Sequence, residues 1–408
     1  MDVLYFHQYF ATRRRSTATR SYELAKRLVD RGHRVTIVSR DTRMLEAGRE
    51  ERPPGRVVAR EQVDGIDVLF INVPYANRYP TPLRLASFTA FTIAASVAGV
   101  LERRPDIVFA SSTPLTIGIA GLLTARAKKV PFVFEIRDLW PAVPVALGAL
   151  KSAAAIRGAE WLEDRLYRGA ERIVVLSERS RDELRQRGIP DEKLVFIPNA
   201  ADLDVFKPGV VDEGFRARHG LEERFVALYT GSMARANDLD QLVDAAAALR
   251  RWGDTRVKIV AVGDGGERPR LEERARELGL DNLLFLPALP KDELAGVVGA
   301  ADVTLTIFAP HPILETTSPN KFFDSIAAGK PVVVNLDGWL RGLVEEHDAG
   351  VWVPAGNAEA LAGALSALAA NPKRVEQMGR NARALAEQEF GRDEMADRLA
   401  RTLEDAAG

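Results

Sequence analysis

The sequence predicts an α/β protein built from two doubly wound, Rossmann-like domains that face each other across a central cleft. Short apolar runs of strand length alternate with segments of helical period, and this alternation begins afresh in the second half of the chain. The 408 residues also exceed what one hydrophobic core usually supports. We therefore expect two parallel sheets, each covered by helices on both faces.

The strands of the first half read DVLYFHQYF, RVTIVSR, DVLFINV, DIVFASS, PFVFEIRD and RIVVLS, and the helix YELAKRLVDRGH follows the first of them. The pattern restarts at RFVALYTGS and continues through VKIVAVGDGG, LLFLPAL, DVTLTIF, PVVVNL and VWVP. We place the first domain at residues 1–205 and the second at 206–388. The C-terminal helix, about residues 389–408, is expected to pack back on the first domain.

Composition bounds the class of protein. Zero cysteines exclude disulfides, thiolate metal sites and cysteine nucleophiles, and the first residues resemble a strand rather than a signal peptide. A cytoplasmic protein is expected, with no nucleic acid among its partners. The net charge of −1 combines an excess of nine positive charges in residues 1–200 with an excess of ten negative charges in the remainder. The two halves should therefore face different partners, or each other.

Three loops of the second half each lie before a helix: YTGSMARAND (229–238), VGDGGERPR (262–270) and TSPNK (317–321). Backbone N–H groups at a helix N-terminus attract anions, so a diphosphate is the natural occupant, with Arg235 and Lys321 as its cations. The helix after TSPNK should have Ser318 as its N-cap and Pro319 at its first position.

Asp324 lies three residues beyond Lys321 on this helix and is a candidate acceptor for ribose hydroxyls. The alternative is an ordinary ion pair between these two residues. Gly263, in the glycine-rich loop, is weak support on its own, because glycines after a strand often serve only the turn.

These motifs, with LAKRLVDRGHRVTIVSR, FEIRDLWP, LFLPALPKDELAGVVGAADVTL and SPNKFFDSIAAGKPVVV, resemble the retaining glycosyltransferases of family 4 in order and spacing over nearly the whole chain. That family has the two-domain GT-B fold. The RDLWP form looks most like bacterial transferases of surface-polysaccharide and O-antigen assembly, such as N-acetyl-L-fucosamine transferases. The resemblance implies a nucleotide-sugar donor, expected to be a UDP-sugar, and no metal cofactor.

The resemblance also implies roles for individual residues. Lys321 would hold the donor diphosphate, Asp324 would take the place of the family's ribose-binding glutamate, and Leu286 with its neighbours would meet the nucleobase through backbone groups. Arg235 lies at a position where the surface-polysaccharide transferases of this family have a basic residue. The full expected donor-binding set is Gly231, Ser232, Gly263, Leu286, Ser318, Asn320, Asp324, Glu315 and Arg137.

The sequence departs from the family pattern at several of these positions. The family's first glutamate should lie eight residues before Asp324, where this chain has Thr316, with Glu315 one place off. Ser232 and Asn237 occupy positions where many members have a phosphate-binding Arg and Lys. Many members also have a sugar-contacting His where Arg137 stands.

The expected reaction stabilises the charge of the leaving diphosphate through Lys321 and Arg235, and the leaving phosphate accepts the acceptor's proton. Asp138, in RDLWP, is a candidate for orienting the acceptor or removing its proton; the alternative is a turn cap. Arg137 either touches the donor or pairs with Glu135 or Asp138. The scattered histidines and two Asp-Leu-Asp strings, at 202–204 and 238–240, do not indicate a metal site.

Residues 83–104 form an apolar segment flanked by Arg78, Arg84, Arg103 and Arg104. A buried core helix is one interpretation. The other is peripheral contact with anionic lipid on the inner face of the plasma membrane, which would suit an undecaprenyl-diphosphate-linked acceptor. A saccharide acceptor, a nucleotide-sugar epimerase of the same fold and a non-catalytic nucleotide-sugar-binding protein are the alternatives for function.

Overall fold

The computed structural model describes residues 1–15, 19–41, 57–74 and 79–408. Arg78, one of the arginines named above, lies outside the described residues. The chain divides into two compact units. It passes from the first unit to the second between Pro198 and Asn199 and returns to the first between Arg392 and Asp393. A short stretch beginning at Arg13 belongs with the second unit.

The first unit contains an eight-stranded sheet in the order β3-β4-β2-β1-β5-β6-β7-β8. Its strands are β1 Asp2–Phe6, β2 Arg34–Arg40, β3 Val58–Val63, β4 Ile66–Ile71, β5 Ile107–Ser111, β6 Phe132–Ile136, β7 Arg172–Val175 and β8 Leu194–Phe196. All neighbours are parallel except β3, which pairs antiparallel with β4 at the edge. The central strands β5 and β6 are buried at every position, because helices cover both faces of a parallel sheet.

Helices on the faces of this sheet are α1 Arg20–Asp30, α2 Thr81–Leu101, α3 Ile117–Lys128, α4 Ala142–Ala146, α5 Ala153–Gly169 and α6 Glu178–Gln186. A single 3-10 turn, Asp191–Lys193, precedes β8. The helices follow the strands in sequence, as the alternating pattern predicts.

Helix α2 packs on the sheet by one face only. Phe91 and Ala95 are fully buried, and a Cβ at Gly99 would come within 2.5 Å of the Phe6 ring. The opposite face exposes apolar side chains, among them Ile93 and Val97. In the part of the chain that the structure describes, Leu83–Leu101 is the one helical segment long and apolar enough to cross a membrane, and 28% of it is buried. The helix therefore covers the sheet with one face and leaves an apolar face exposed.

The second unit contains a six-stranded, all-parallel sheet in the order β11-β10-β9-β12-β13-β14. Its strands are β9 Phe225–Thr230, β10 Val257–Val262, β11 Leu283–Leu286, β12 Val303–Thr306, β13 Val332–Val334 and β14 Gly350–Trp352. One large core cluster packs on this sheet and consists mostly of Ala, Val, Leu and Ile side chains, and Phe322 and Phe323 are also fully buried in this unit.

The helices of the second unit are α7 Phe215–Arg218, α8 Asp240–Arg251, α9 Arg268–Glu277, α10 Lys291–Ala300, α11 Asn320–Ala327, α12 Trp339–Glu346, α13 Ala358–Ala369 and α14 Pro372–Glu389. Two 3-10 turns, Arg235–Asn237 and Pro312–Thr316, lie in loops that follow β9 and β12.

The last helix, α15 Arg392–Ala407, belongs to the first unit from Asp393 onward. Arg27 of α1 lies 2.6 Å from the carboxylate of Asp393, and Arg31 pairs with Asp397. The chain thus returns to the first unit after completing the second, and the last helix is held against α1 partly by ion pairs.

Candidate functional site

The loops after β9 and β10 are packed backbone against backbone. The N–H of Gly231 donates to Val262 O at 3.0 Å, and the N–H of Met233 donates to Asp264 O at 2.8 Å. A Cβ at Gly263 would lie 1.9 Å from Gly231 O, and one at Gly265 would lie 2.4 Å from Met233 O. These glycines are required because the two loops approach too closely for any side chain.

Lys321, in the first turn of α11, reaches the end of β9. Its Nζ donates to Tyr229 Oη at 2.9 Å and to Asn237 Oδ1 at 3.2 Å, and it lies 5.1 Å from the centroid of the Phe308 ring. Among the described residues no carboxylate forms an ion pair with it. Burial lowers the pKa of Lys321 to about 7, because no negative charge offsets the desolvation of the ammonium.

Tyr229 is a candidate site residue that was not predicted from the sequence, and Asn237 was noted there only as a departure from the family's phosphate-binding residues. Tyr229 Oη donates to Ser232 O at 2.7 Å, and Asn237 Nδ2 donates to the same carbonyl at 2.9 Å. Both side chains are therefore fixed by the loop as well as by Lys321. Tyr229 is the fifth residue of β9 and the first residue of the motif YTGSMARAND, and this position next to the loop could have identified it.

The start of α11 differs from the prediction. Pro319 is the N-cap, and the helix has no side-chain cap. Ser318 is not the cap, because its Oγ accepts the backbone N–H of Asn199 at 3.1 Å. The helix begins at Asn320, so its first-turn N–H groups are left without a capping side chain.

Asp324 does not pair with Lys321, so the predicted alternative of an ion pair between them is wrong. Its Oδ1 lies 3.8 Å from Nζ of Lys291 at the start of α10. At the position eight residues earlier, Thr316 is buried and donates its hydroxyl to Ile313 O at 2.5 Å. Glu315 beside it is partly exposed in the 3-10 turn.

Two other predicted donor residues lie at the edge of this loop cluster. The side chain of Arg235 is 85% exposed, and its Nε lies 3.5 Å from Glu267. The carbonyl of Leu286, at the end of β11, accepts the N–H of Gly263 at 3.0 Å.

In the first unit, polar side chains collect where β1, β5 and β6 end. Arg137 Nη1 lies 3.2 Å from Nε2 of His7, and the Arg137 N–H donates to Ser112 Oγ at 3.0 Å. Arg137 therefore pairs with neither Glu135 nor Asp138, contrary to the alternative given above. His7 is 1% exposed. Burial, and then the charges of Arg137 and Arg20, hold the pKa of His7 well below its usual value, so this imidazole is neutral.

Glu135 is instead bound by a different arginine. Its Oε2 accepts from Nη2 of Arg20 at 2.7 Å, and its Oε1 accepts from Ser111 Oγ at 2.6 Å. Burial alone would raise the pKa of Glu135, but the Arg20 guanidinium outweighs it and holds that pKa below its usual value. Asp138, next to Arg137, is partly buried and accepts from Thr113 Oγ1 at 3.2 Å.

Three carboxylates of the two Asp-Leu-Asp strings form ion pairs with arginine side chains. Asp202 binds Arg392, Asp204 binds Arg13, and Asp240 binds Arg270. Across residues 1–15, 19–41, 57–74 and 79–408, no group of three or more His, Asp or Glu side chains is placed to hold a metal ion.

With this geometry established, comparison with known families identifies the class. Residues 17–200 match the family model described as "Glycosyl transferase 4-like domain", and residues 211–385 match "Glycosyl transferases group 1". The chain belongs to the family 4 glycosyltransferases. It is therefore a retaining glycosyltransferase of GT-B fold that uses a nucleotide-sugar donor.

Individual relatives are distant. The chain is 26% identical to alpha-D-kanosaminyltransferase of Streptomyces kanamyceticus, over 59% of this chain and 62% of that protein. It is 27% identical to D-inositol 3-phosphate glycosyltransferase of Kribbella flavida, over 88% and 84%. A putative colanic acid biosynthesis glycosyl transferase, WcaI of Escherichia coli, is 22% identical over 65% and 67%.

Solved structures share the fold over almost the whole chain. Sucrose-phosphate synthase from Thermosynechococcus elongatus superposes with a TM-score of 0.76 at 18% identity, covering 99% of this chain and 98% of that one. HepE of Anabaena, in complex with UDP-glucose, gives a TM-score of 0.72 at 19% identity, covering 99% and 100%. The predicted GT-B fold is confirmed.

Proposed function

We propose that this protein transfers a sugar from a UDP-sugar to a lipid-linked or saccharide acceptor in cell-surface polysaccharide biosynthesis. One observation carries the donor side of the proposal. Lys321 is a lysine held in place by the neutral groups of Tyr229 and Asn237, with a pKa lowered to about 7 and no carboxylate pair among the described residues. A dianionic diphosphate supplies the charge that this ammonium lacks.

The diphosphate would bind at the N-terminus of α11, where the first-turn N–H groups have no side-chain cap. Gly231 has a φ of +128°, which favours glycine, and its backbone lies directly beside Lys321, since a Cβ there would be in van der Waals contact with Cε at 3.4 Å. Ser232, Gly263, Ser318 and Asn320 would line the phosphates through backbone or hydroxyl groups. The base would lie against the backbone near Leu286.

In the reaction, charge grows on the β-phosphate as the sugar leaves. Lys321, already oriented by Tyr229 and Asn237, would stabilise that charge without reorganising. Arg235, with its exposed side chain, would close over the diphosphate as a second cation. Glu315 remains a candidate for a sugar hydroxyl.

In the first unit, Arg137 would bind a phosphate or sugar oxygen, since its guanidinium is held by a neutral imidazole rather than by an acid. Asp138 would orient the acceptor hydroxyl, with Thr113 fixing its carboxylate. The leaving phosphate would accept the acceptor's proton.

UDP is proposed because HepE was solved with UDP-glucose and a trehalose-6-phosphate protein of E. coli with UDP-2-fluoro glucose. A relative from Mycobacterium tuberculosis, 27% identical over 80% of this chain, is GDP-mannose-dependent, so GDP is the competing nucleotide. The RDLWP segment supports an aminodeoxyhexose such as N-acetyl-L-fucosamine as the sugar.

The lipid-linked acceptor is supported by α2. Its outward face presents Leu85, Ile93 and Val97, and exposed arginines flank it at Arg84 and Arg103. An apolar helical face with basic ends suits the surface of an anionic membrane. Flotation with phosphatidylglycerol vesicles at low salt should recover the protein, and Ile93→Asn with Val97→Asn should reduce that recovery. Equal recovery of this variant would contradict membrane contact through α2.

The test of the function is transfer by the purified protein. We expect release of UDP from a UDP-sugar panel, accelerated by an undecaprenyl-diphosphate-linked saccharide. Isomerisation of the sugar nucleotide without any acceptor would favour an epimerase. Binding without hydrolysis or transfer would indicate a nucleotide-sugar-binding protein.

A further inference from the structure

Asp324 is associated with a lysine other than Lys321. Lys291 Nζ lies 3.8 Å from Asp324 Oδ1 and pairs more closely with Asp202. Lys291 is the first residue of α10, five positions after Leu286, so it follows the same loop that we assign to the nucleobase. Its side chain is 12% exposed and that of Asp202 is fully buried.

Asp202 has a second cationic partner. Arg392 Nη2 donates to Asp202 Oδ2 at 2.9 Å and also to Ala200 O at 2.9 Å. Burial alone would raise the pKa of Asp202, but Arg392 and Lys291 outweigh it and hold that pKa below its usual range. These two cations lie in one cluster with the carboxylates of Asp202 and Asp324, and Arg392 binds Asp202 independently of Lys291.

Lys291 therefore lies between the carboxylates of Asp202 and Asp324. An ammonium beside a carboxylate restricts the direction of that carboxylate, and the two oxygens of a carboxylate can accept hydrogen bonds from two hydroxyl donors. The side chain at this position is also one methylene shorter than the glutamate that the family resemblance implies. A shorter side chain has less freedom to find the hydroxyls, so its direction matters more.

We propose that Lys291 is a positioning residue of the donor site: it directs the carboxylate of Asp324 at the ribose hydroxyls of the bound nucleotide. This inference rests on the proposed function, because it requires a nucleoside diphosphate at α11. A purely structural Lys291, serving Asp202 alone, would affect all nucleotides equally. A Lys291 that acts through Asp324 affects only nucleotides that carry the ribose hydroxyls.

The experiment is a set of affinities measured by calorimetry for UDP, 2′-deoxy-UDP and 3′-deoxy-UDP, with GDP and its deoxy forms as a second series. Wild type, Lys291→Met, Lys291→Arg and Asp324→Asn are compared. Wild type should prefer the ribonucleotide over at least one deoxy form by about tenfold or more, since a hydrogen bond to a charged group has that worth. Lys291→Met and Asp324→Asn should both reduce this preference to less than threefold, whereas Lys291→Arg should keep it.

A second variant, in which the lost positive charge is compensated by the loss of a negative charge, separates an effect on folding from an effect on the position of Asp324. Lys291→Met combined with Asp202→Asn removes one charge of each sign from the buried cluster, and its preference should stay as low as that of Lys291→Met. A Lys291→Met protein that keeps the wild-type preference would overturn the inference while leaving the proposed function intact. Absence of both UDP and GDP binding in wild type would overturn the proposed function and this inference with it.

Discussion

Lys321 and Lys291 lie in the same unit, and their surroundings differ in one respect. Lys291 stands between the carboxylates of Asp202 and Asp324, whereas Lys321 is held by a phenol and an amide. Burial without a counter-charge lowers the pKa of Lys321 to about 7. The charge of Lys291 is therefore compensated within the protein, and Lys321 is the lysine for which we propose a charged ligand.

The first unit repeats this contrast with two arginines. Arg20 is bound to Glu135 and to the carbonyls of Ile197 and Pro198, so its charge is compensated inside the protein. Arg137 has the neutral imidazole of His7 as its side-chain partner. We therefore expect substitution of Arg20 to affect folding and substitution of Arg137 to affect activity.

The largest expected effect is that of Arg20→Met on stability. The substitution leaves the carboxylate of Glu135 buried without its cation, which typically costs about 3–5 kcal/mol. Urea unfolding followed by circular dichroism should show this loss. Arg137→Met, the matched control, should unfold within about 0.5 kcal/mol of wild type, as substitutions outside buried networks usually do. Equal losses in the two variants would remove the distinction between these arginines.

Unlike Arg20→Met, Lys321→Met should reduce turnover and leave the stability of the fold largely unchanged. Removing one fixed cation that stabilises developing charge costs roughly 3–4 kcal/mol, so kcat should fall by on the order of a hundredfold or more. Initial rates of UDP release would measure this.

Lys330→Met is the control for Lys321→Met. Lys330 lies just beyond the other end of α11, and burial also lowers its pKa, yet it is not among the residues assigned to the donor. Its substitution should leave kcat within about twofold. A Lys321→Met enzyme with wild-type turnover would refute the role of Lys321.

The pKa of Lys321 predicts the sign of a pH effect on nucleotide binding. In the free enzyme this lysine loses its proton near pH 7, whereas a bound diphosphate would raise its pKa and hold it protonated. Binding above pH 7 must then take up a proton, so UDP affinity should fall by up to about tenfold per pH unit between pH 7.5 and 9. Calorimetry in buffers of different ionisation enthalpy would detect the proton. A flat affinity profile would contradict the lowered pKa.

The same lysine should also affect stability without ligand. Its folded-state pKa lies below the unfolded value, so the unfolded chain binds more protons between about pH 7 and pH 10. Stability should therefore rise with pH across that window in wild type. Lys321→Met should show a smaller rise in the same urea titrations.

The smallest expected effect comes from His7. His7→Leu removes the acceptor that holds Arg137, and the loss of one such hydrogen bond is worth about 1 kcal/mol, or roughly fivefold in kcat/KM. His7→Gln keeps a neutral acceptor and should recover most of the activity. Because His7 is neutral in the folded protein, neither variant should change the pH profile near pH 6.5. A histidine-dependent inflection there would contradict the neutral assignment.

Local patterns predicted most of the fold. Continuous apolar runs such as VKIVAV and FVFEI form buried parallel strands, because a strand covered on both faces has no polar side. The antiparallel edge strand β3 was not predicted. Its exposure alternates along VAREQV, and pairing direction depends on a neighbour rather than on the segment itself.

The candidate site residues were proposed from segments that are continuous in sequence. Lys321 and Asp324 were proposed from the helix that carries them, but their hydrogen-bond and ion-pair partners were not predicted. Lys321 meets Tyr229 across 92 positions, and Arg137 meets His7 across 130. Ser318 was misassigned for the same reason, since a good N-cap residue was recruited by Asn199 from a distant segment. Long-range hydrogen bonds decide such cases, and a local pattern does not contain them.

The central claim is that Lys321 binds the diphosphate of the donor, and a crystal structure of the protein with a UDP-sugar tests it most directly. The account predicts a diphosphate oxygen within about 3 Å of Lys321 Nζ, at the N-terminus of α11, as charge-assisted hydrogen bonds require. A diphosphate bound elsewhere on the second unit, with Lys321 still held only by Tyr229 and Asn237, would contradict it.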